Sequence, residues 1–130
     1  MAGTLKFELV TPERMALSED AAQVVMPGVE GEFTVLPGHA PVISALRPGV
    51  IEVSLPDSSK TRIFVKGGFA EIDGDHLTVL AERAIDVAAM DAAIIAAELQ
   101  TAEADLASAT DDAARLTAAS AVEQLKALGR

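Results

Sequence analysis

The sequence predicts an α+β protein, in which a β-sandwich of about ten short strands precedes an antiparallel two-helix hairpin. Three Pro-Gly pairs lie between residues 24 and 49, and each follows a short apolar run, as is typical of strands separated by turns. After Ala84 the composition changes: alanine dominates, and glycine and proline are absent until Gly129. We therefore predict two domains, residues 1–84 and residues 85–130.

The first strand is predicted at residues 5–9, where apolar and charged side chains alternate. Residues 23–26, 32–36 and 41–46 follow as short apolar runs. Proline presets φ for a turn and glycine supplies the positive φ that the next position needs, so the Pro-Gly pairs predict turns. These turns are Met26-Pro27-Gly28, Leu36-Pro37-Gly38 and Arg47-Pro48-Gly49.

The second half of the sandwich is predicted as two hairpins. Residues 50–55 alternate in polarity and are followed by the polar turn of residues 56–59 and a partner strand at residues 61–65. The pair Gly67-Gly68 then interrupts a strand-like run, which indicates either a bulge or a close approach by another strand or chain. Asp73-Gly74-Asp75 predicts a tight hairpin turn before a return strand at residues 76–80.

The last part of the chain predicts two helices of similar length. The first helix is predicted to begin near Met90-Asp91, and its apolar stripe at helical spacing comprises Ile95, Leu99, Ala102 and Leu106. Thr110 is the expected N-cap of the second helix, whose predicted stripe is Leu116, Ala118, Val122, Leu125 and Leu128. Alanine-lined helices bury little area against each other, so the hairpin should depend on docking against the sandwich or another subunit.

Composition excludes several classes of function. Twenty acidic against ten basic residues give a net charge of −10, which argues against a nucleic-acid partner. The absence of cysteine excludes disulfides, thiolate metal sites and cysteine nucleophiles. With no signal peptide and no apolar run near the roughly 20 residues that span a bilayer, we expect a cytoplasmic protein that reaches membranes only through other proteins.

The sequence contains no motif for catalysis, and we expect neither an enzyme nor a cofactor. Ser44 and His39 could be imagined as nucleophile and base, but no acid is placed to orient the histidine. Asp73, Asp75 and His76 resemble metal ligands, yet they fall at a predicted hairpin tip, where such residues serve turn geometry. We expect no metal site there.

Several motifs together resemble one protein family. The run GVEGEFTVLPGHAPVISALRPG and the later KGGFAEI closely resemble the epsilon subunit of the F-type ATP synthase, and the similarity extends over essentially the whole chain. This resemblance implies a non-catalytic rotor subunit that binds the gamma subunit and the c-ring of the membrane sector. It implies c-ring contact by Val29, Glu30, Gly31 and Glu32, and gamma contact by His39, Ala40, Pro41 and Val42.

The resemblance also bears on regulation. In many relatives the helical hairpin contacts the alpha/beta catalytic head and inhibits hydrolysis, and some relatives bind ATP through an Ile/Leu-Asp-x-x-Arg-Ala motif. Met90 and Asp91 begin the matching run here, but Ile94 occupies the arginine position, so we expect a vestigial motif with weak or absent ATP binding. The alternative function is a free-standing adaptor whose alanine-rich hairpin binds a partner helix.

Overall fold

The computed structural model describes residues 3–129; Met1, Ala2 and Arg130, which belong to the two predicted domain ranges, lie outside the described residues. Within this part the chain forms eight strands and then two α-helices. The strands are β1 (Leu5–Thr11), β2 (Arg14–Ala21), β3 (Gln23–Gly28), β4 (Gly31–Val35), β5 (His39–Ser54), β6 (Lys60–Gly74), β7 (His76–Ala81) and β8 (Ala84–Asp86). The helices are α1 (Ala92–Ser108) and α2 (Asp112–Leu128), and a short 3₁₀ turn at Val87–Ala89 precedes α1.

The strands are hydrogen-bonded in the order β2-β1-β7-β6-β5-β3-β4, and β8 pairs with β6. All pairs are antiparallel except β1 with β7, which is parallel. On its outer side β6 pairs first with β8, through Ile63–Val65, and then with β7, through Gly68–Asp73. This change of neighbour divides the sheet into two layers that share β5 and β6, which agrees with the predicted sandwich.

One apolar core lies between the two layers. The first layer contributes Leu5, Phe7 and Leu9 of β1, whose alternation was predicted from the sequence. The second contributes Ile51 and Val53 of β5, which are fully buried. Since side chains alternate across a strand, these residues face the core while their neighbours point outward.

The third Pro-Gly pair lies in a strand, which corrects the predicted turn at Arg47-Pro48-Gly49. β5 continues through this segment, with Pro48 opposite Lys66 and Gly49 opposite Val65 of β6. Near here the inward-facing side chains change from even to odd positions along β5 and from odd to even positions along β6, as Ile63 and Ala70 of β6 illustrate. The prolyl-glycyl segment therefore marks the corner at which a long strand passes from one layer to the other.

The first Pro-Gly pair also belongs to a strand. Met26, Pro27 and Gly28 form the buried end of β3, and the turn follows at Val29-Glu30, closed by the pairing of Gly28 with Gly31. The predicted turn was thus placed too early. The second pair is confirmed, because Pro37-Gly38 lies in the turn between β4 and β5.

Gly67-Gly68 marks a close approach by another strand. The β5–β6 register runs unbroken from Leu46–Gly68 to Pro48–Lys66, so this pairing has no bulge here. A Cβ atom added to Gly68 would overlap the carbonyl oxygen of Leu80 in β7. Of the two sequence-based interpretations, close approach is the correct one.

The helical hairpin matches the prediction in type and differs in two details. Asp91 caps α1 by accepting a hydrogen bond from the Ile94 amide at 2.9 Å. Asp111, not Thr110, caps α2, with its carboxylate accepting from the Ala114 amide at 2.7 Å. Leu116 does not belong to the buried stripe, because 72% of it is exposed; at about 100° per residue it projects from the opposite side of α2 to the buried Ala118 and Leu125.

The hairpin is docked on the outer face of the second layer. Phe64 of β6 is fully buried in a cluster with Met90, Ala102, Ala121 and Leu125. The hairpin is thus docked on the sandwich, which is one of the two partners expected for it from the sequence. β8 begins at Ala84 and ends at Asp86, so the sheet extends two residues beyond the predicted boundary at residue 84.

Candidate partner-binding surfaces

The acidic tip between β3 and β4 is a two-residue hairpin turn. Gly31 has φ +139°, a conformation that L side chains rarely adopt, and the Val29 amide donates to the Ala45 carbonyl at 3.0 Å. Val29, Glu30, Gly31 and Glu32 are all exposed. Among residues 3–129, neither Glu30 nor Glu32 forms an ion pair, so both carboxylates are presented to solvent from a fixed backbone.

The segment His39–Val42 begins β5. The ring Nδ1 of His39 lies 2.8 Å from the Ala40 carbonyl oxygen, which is the local backbone contact of an ordinary loop histidine. Ala40, Pro41 and Val42 are exposed. Ala45, next to the acidic tip, lies six positions after His39 and three after Val42, so the predicted gamma contact extends from roughly 10 Å to roughly 20 Å from the tip along β5.

An apolar surface that sequence reasoning missed crosses the first layer. Strand register places five side chains in one transverse line on its outer face: Ala45, Phe69, Leu80, Val10 and Met15. Phe69, Leu80 and Met15 are each more than half exposed. We call this line the apolar row; the signal that could have revealed it was Phe69 alternating outward from the buried Ala70 and Ile72.

An open cleft of about 540 Å³ lies along the apolar row. Its floor includes Val10, Ala45, Phe69 and Leu80, and Thr117 of α2 contributes to one wall. A second cleft of about 520 Å³, lined also by Lys66, Glu82 and Thr117, continues beneath the tip of the hairpin. The first turns of α2 are therefore not in close contact with the sandwich.

The run that resembles a nucleotide motif has structural roles here. Met90 is buried between the hairpin and the sandwich, and the Asp91 carboxylate caps α1. The nearby groove between the helices is lined by Ile95, Leu99 and Leu125, with Lys126 as its one cation among the described residues. This groove offers little to bind a polyphosphate, because it lacks the guanidinium that grips phosphate in a bidentate manner.

The side chains considered for chemistry are not brought together as a site. The Ser44 hydroxyl donates to the Ala45 carbonyl and the His39 ring contacts the Ala40 carbonyl, so each is engaged with backbone. Asp75 accepts a hydrogen bond from the Gly38 amide at 2.9 Å, which ties two turns together. Within residues 3–129 no group of three His, Asp or Glu side chains is arranged to hold a metal ion.

The sandwich matches the sequence model of a known protein family. Residues 4–87 match the sequence model described as "ATP synthase, Delta/Epsilon chain, beta-sandwich domain". The chain belongs to the ATP synthase delta/epsilon family. The similarity extends through the hairpin, because relatives called ATP synthase epsilon chain match 98% of the sequence. The adaptor alternative is consequently not favoured.

Two bacterial relatives illustrate this family match. The epsilon chain of Parvibaculum lavamentivorans is 45% identical, and the match covers 98% of this chain and 97% of the relative. The epsilon chain of Maricaulis maris is 46% identical over 98% and 96% of the two chains. Members of the delta/epsilon family are thus similar to this chain from β1 to α2.

Solved structures of ATP synthases contain the same fold. A chain in the OSCP, F1 and c-ring structure of the Euglena gracilis mitochondrial enzyme superposes with a TM-score of 0.75 at 25% identity, covering 98% of this chain and 81% of that one. A chain from the central stalk and c-ring structure of the Tetrahymena thermophila enzyme gives 0.69 at 14% identity, covering 97% and 96%. No helix among the described residues has the length and hydropathy needed to cross a membrane.

Proposed function

We propose that this chain is the epsilon-type subunit of the central stalk of a proton-translocating F-type ATP synthase. It is a non-catalytic subunit of that complex, which couples rotation of the c-ring through gamma to ATP synthesis. Full-length similarity to bacterial epsilon chains supports this role, as does the likeness to a chain in a structure that contains F1 and the c-ring. The location that follows is the cytoplasmic face of the cell membrane, with attachment through the complex.

The apolar row is the observation that carries the proposal. Three large exposed apolar side chains, Met15, Phe69 and Leu80, lie on this line across five strands, which is unusual for a monomer and marks a surface that another protein covers. Ala45 of the row follows the predicted gamma contact His39–Val42 on the same strand. We therefore assign gamma a continuous surface that runs from the start of β5 along the apolar row.

A charge introduced into the row tests this assignment. Leu80→Glu should weaken binding of isolated gamma by about 30-fold or more, because it buries a carboxylate at the centre of an apolar contact. Leu116→Glu is the matched control, since Leu116 is equally apolar and more exposed but lies on the hairpin. Equal losses of gamma affinity in the two variants, or no loss in either, would show that gamma does not bind the apolar row.

The acidic tip is proposed as the surface that faces the c-ring. Glu30 and Glu32 are exposed on a rigid turn, and exposed charges at a rim mainly affect association and specificity. Replacing both by lysine should weaken attachment to the membrane sector far more than binding to isolated gamma. Separate pull-downs with each partner make the comparison, and equal weakening of both would mean that the tip was assigned to the wrong partner.

The hairpin is proposed to be a poor inhibitor that binds ATP weakly or not at all. Beyond residue 85 the sequence has three basic and eight acidic residues, which disfavours contact with an acidic loop of the catalytic head. Arg83, a conceivable substitute for the missing arginine, is engaged by Glu98. Calorimetric titration with Mg-ATP and ATPase assays with and without residues 85–130 test this; micromolar binding or a several-fold rise in hydrolysis would contradict it.

A further inference from the structure

One ion pair joins the two domains. Arg83 follows β7, and its Nη2 and Nε atoms lie 2.8 and 3.0 Å from the same carboxylate oxygen of Glu98 in the middle of α1. The Arg83 carbonyl accepts a hydrogen bond from the Lys66 amide, so its backbone is fixed to the sandwich. Among residues 3–129, this is the one side-chain ion pair between the sandwich and the helical hairpin.

The two partners differ in their exposure to water. Glu98 is 9% exposed and is the one charged residue that is buried in the described part of the chain. The side chain of Arg83 is 54% exposed. Removal of the arginine would leave a buried carboxylate without a counter-ion, whereas removal of the carboxylate would leave an arginine that water can solvate.

The remaining contacts between the domains are apolar and incomplete. The cluster around Phe64 includes two alanines, which contribute little area each, and the open cleft beneath the hairpin tip leaves that end of the interface unfilled. An undocked hairpin would expose Glu98 to water and so relieve the loss of its partner. The docked position of the hairpin should therefore depend strongly on the Arg83 guanidinium, which neutralises Glu98.

We propose that Arg83 and Glu98 form an interdomain latch, in which the arginine holds the hairpin on the sandwich by neutralising a carboxylate that the docked position buries. Loss or capture of the Arg83 guanidinium, for example by a carboxylate of another protein, releases the hairpin. The latch acts in the isolated chain and does not depend on the proposed gamma and c-ring contacts.

Thiol labelling of the full-length chain tests the latch. The sequence has no cysteine, so Ala121→Cys, at a position 3% exposed in the docked interface, supplies a single thiol that reacts when the hairpin undocks. Leu116→Cys on the exposed side of α2 gives the unprotected rate, and Ala102→Cys is a second reporter on α1. Circular dichroism confirms that each variant is folded.

In the Ala121→Cys background, Arg83→Gln should accelerate thiol labelling about tenfold. A fully buried ion pair would give a larger effect, but Arg83 is half exposed and water screens its charge. Arg62→Gln removes an arginine that pairs with Glu52 within the sandwich, and it should leave the labelling rate unchanged. The double variant Arg83→Gln/Glu98→Leu should return to the parent rate, because no buried carboxylate remains. Unchanged labelling in Arg83→Gln, or a double variant as fast as the single one, would overturn the proposal.

Discussion

Gly68 occupies a position where no side chain has room. Its φ is +137°, and an added Cβ atom would overlap the Leu80 carbonyl oxygen of the neighbouring strand. Gly67 also has a positive φ, +100°, but its nearest obstacle is the Leu46 carbonyl oxygen at an ordinary 3.6 Å. A side chain at Gly67 would therefore cause backbone strain alone, whereas a side chain at Gly68 would cause both backbone strain and steric overlap.

Gly68→Ala should lower the free energy of unfolding by about 4 kcal/mol or prevent folding, because backbone strain and overlap add together. Gly67→Ala should cost about 1–2 kcal/mol, the penalty of a left-handed conformation alone. Urea denaturation of both variants measures the difference. Equal costs would show that β7 can move away from β6 without loss.

Glu52 shows how neighbouring charges change the pKa of a single side chain. Its carboxylate accepts a hydrogen bond from Lys60 at 3.0 Å, with Arg62 at 3.5 Å, and these cations hold the pKa of Glu52 below its ordinary value. A carboxyl with a lowered folded-state pKa stabilises the fold above its unfolded pKa. That contribution is lost as the pH falls through the lowered pKa.

Glu52→Gln should therefore destabilise the protein at pH 7 by about 0.5 kcal/mol, a small effect because both cations are largely exposed. The difference from the parent should vanish as the pH falls below the lowered folded-state pKa of Glu52, since the parent carboxyl is then also neutral. Thermal unfolding from pH 3 to pH 7 tests the sign. A difference that grows towards acid would contradict the assignment.

Helix α2 shows how far local sequence rules extend at the scale of an element. The rules correctly gave a helix similar in length to α1, but Thr110 and Asp111 are both good capping residues and local pattern could not choose between them. Leu116 was placed in the buried stripe although it stands only two residues before Ala118, so it projects from the opposite side of the helix. Strict helical spacing would have excluded it.

Asp111→Ala should lower the free energy of unfolding of the hairpin by about 1 kcal/mol, the usual cost of a lost N-cap. Thr110→Ala should have almost no effect, since Asp111 supplies the hydrogen bond to the Ala114 amide. Helical circular dichroism followed during thermal unfolding measures both. A larger loss of stability in Thr110→Ala than in Asp111→Ala would show that Thr110 is the N-cap, as predicted from the sequence.

The long strands explain another limit of prediction. Proline and glycine at residues 48–49 carry the same turn signal as residues 37–38, yet one pair bends a strand and the other ends it. The difference comes from β6, which pairs with β5 on both sides of the corner. Such pairing joins residues far apart in sequence and has no local signature.

At the scale of the whole molecule, the fold was predictable and the surface proposed to bind gamma was not. Alternation and turn residues give the strands, but the apolar row arises only when five strands are placed in register. The Arg83–Glu98 pair likewise requires the docked hairpin. The acidic tip could be found from sequence because all of its residues are contiguous.

Truncation tests the division into domains. A chain ending at Val87 should fold as a sandwich, because it retains β8, while a chain ending at Ala84 loses most of this strand and should be less stable. Both should bind more of a hydrophobic dye than the full chain, since Phe64 loses its cover. Circular dichroism and dye fluorescence provide the measurements; an unfolded chain ending at Val87 would mean that the sandwich needs the hairpin.

The corner shared by β5 and β6 has a mechanical consequence. In a sandwich whose layers are joined only by loops, interdigitating side chains alone resist sliding of one sheet over the other. Here two strands of 16 and 15 residues run continuously through both layers, and their mutual hydrogen bonds pass around the corner. Sliding of one layer over the other would stretch the covalent backbone of β5 and β6. The sandwich should therefore act as a rigid body that transmits torque from the apolar row to its far end with little deformation.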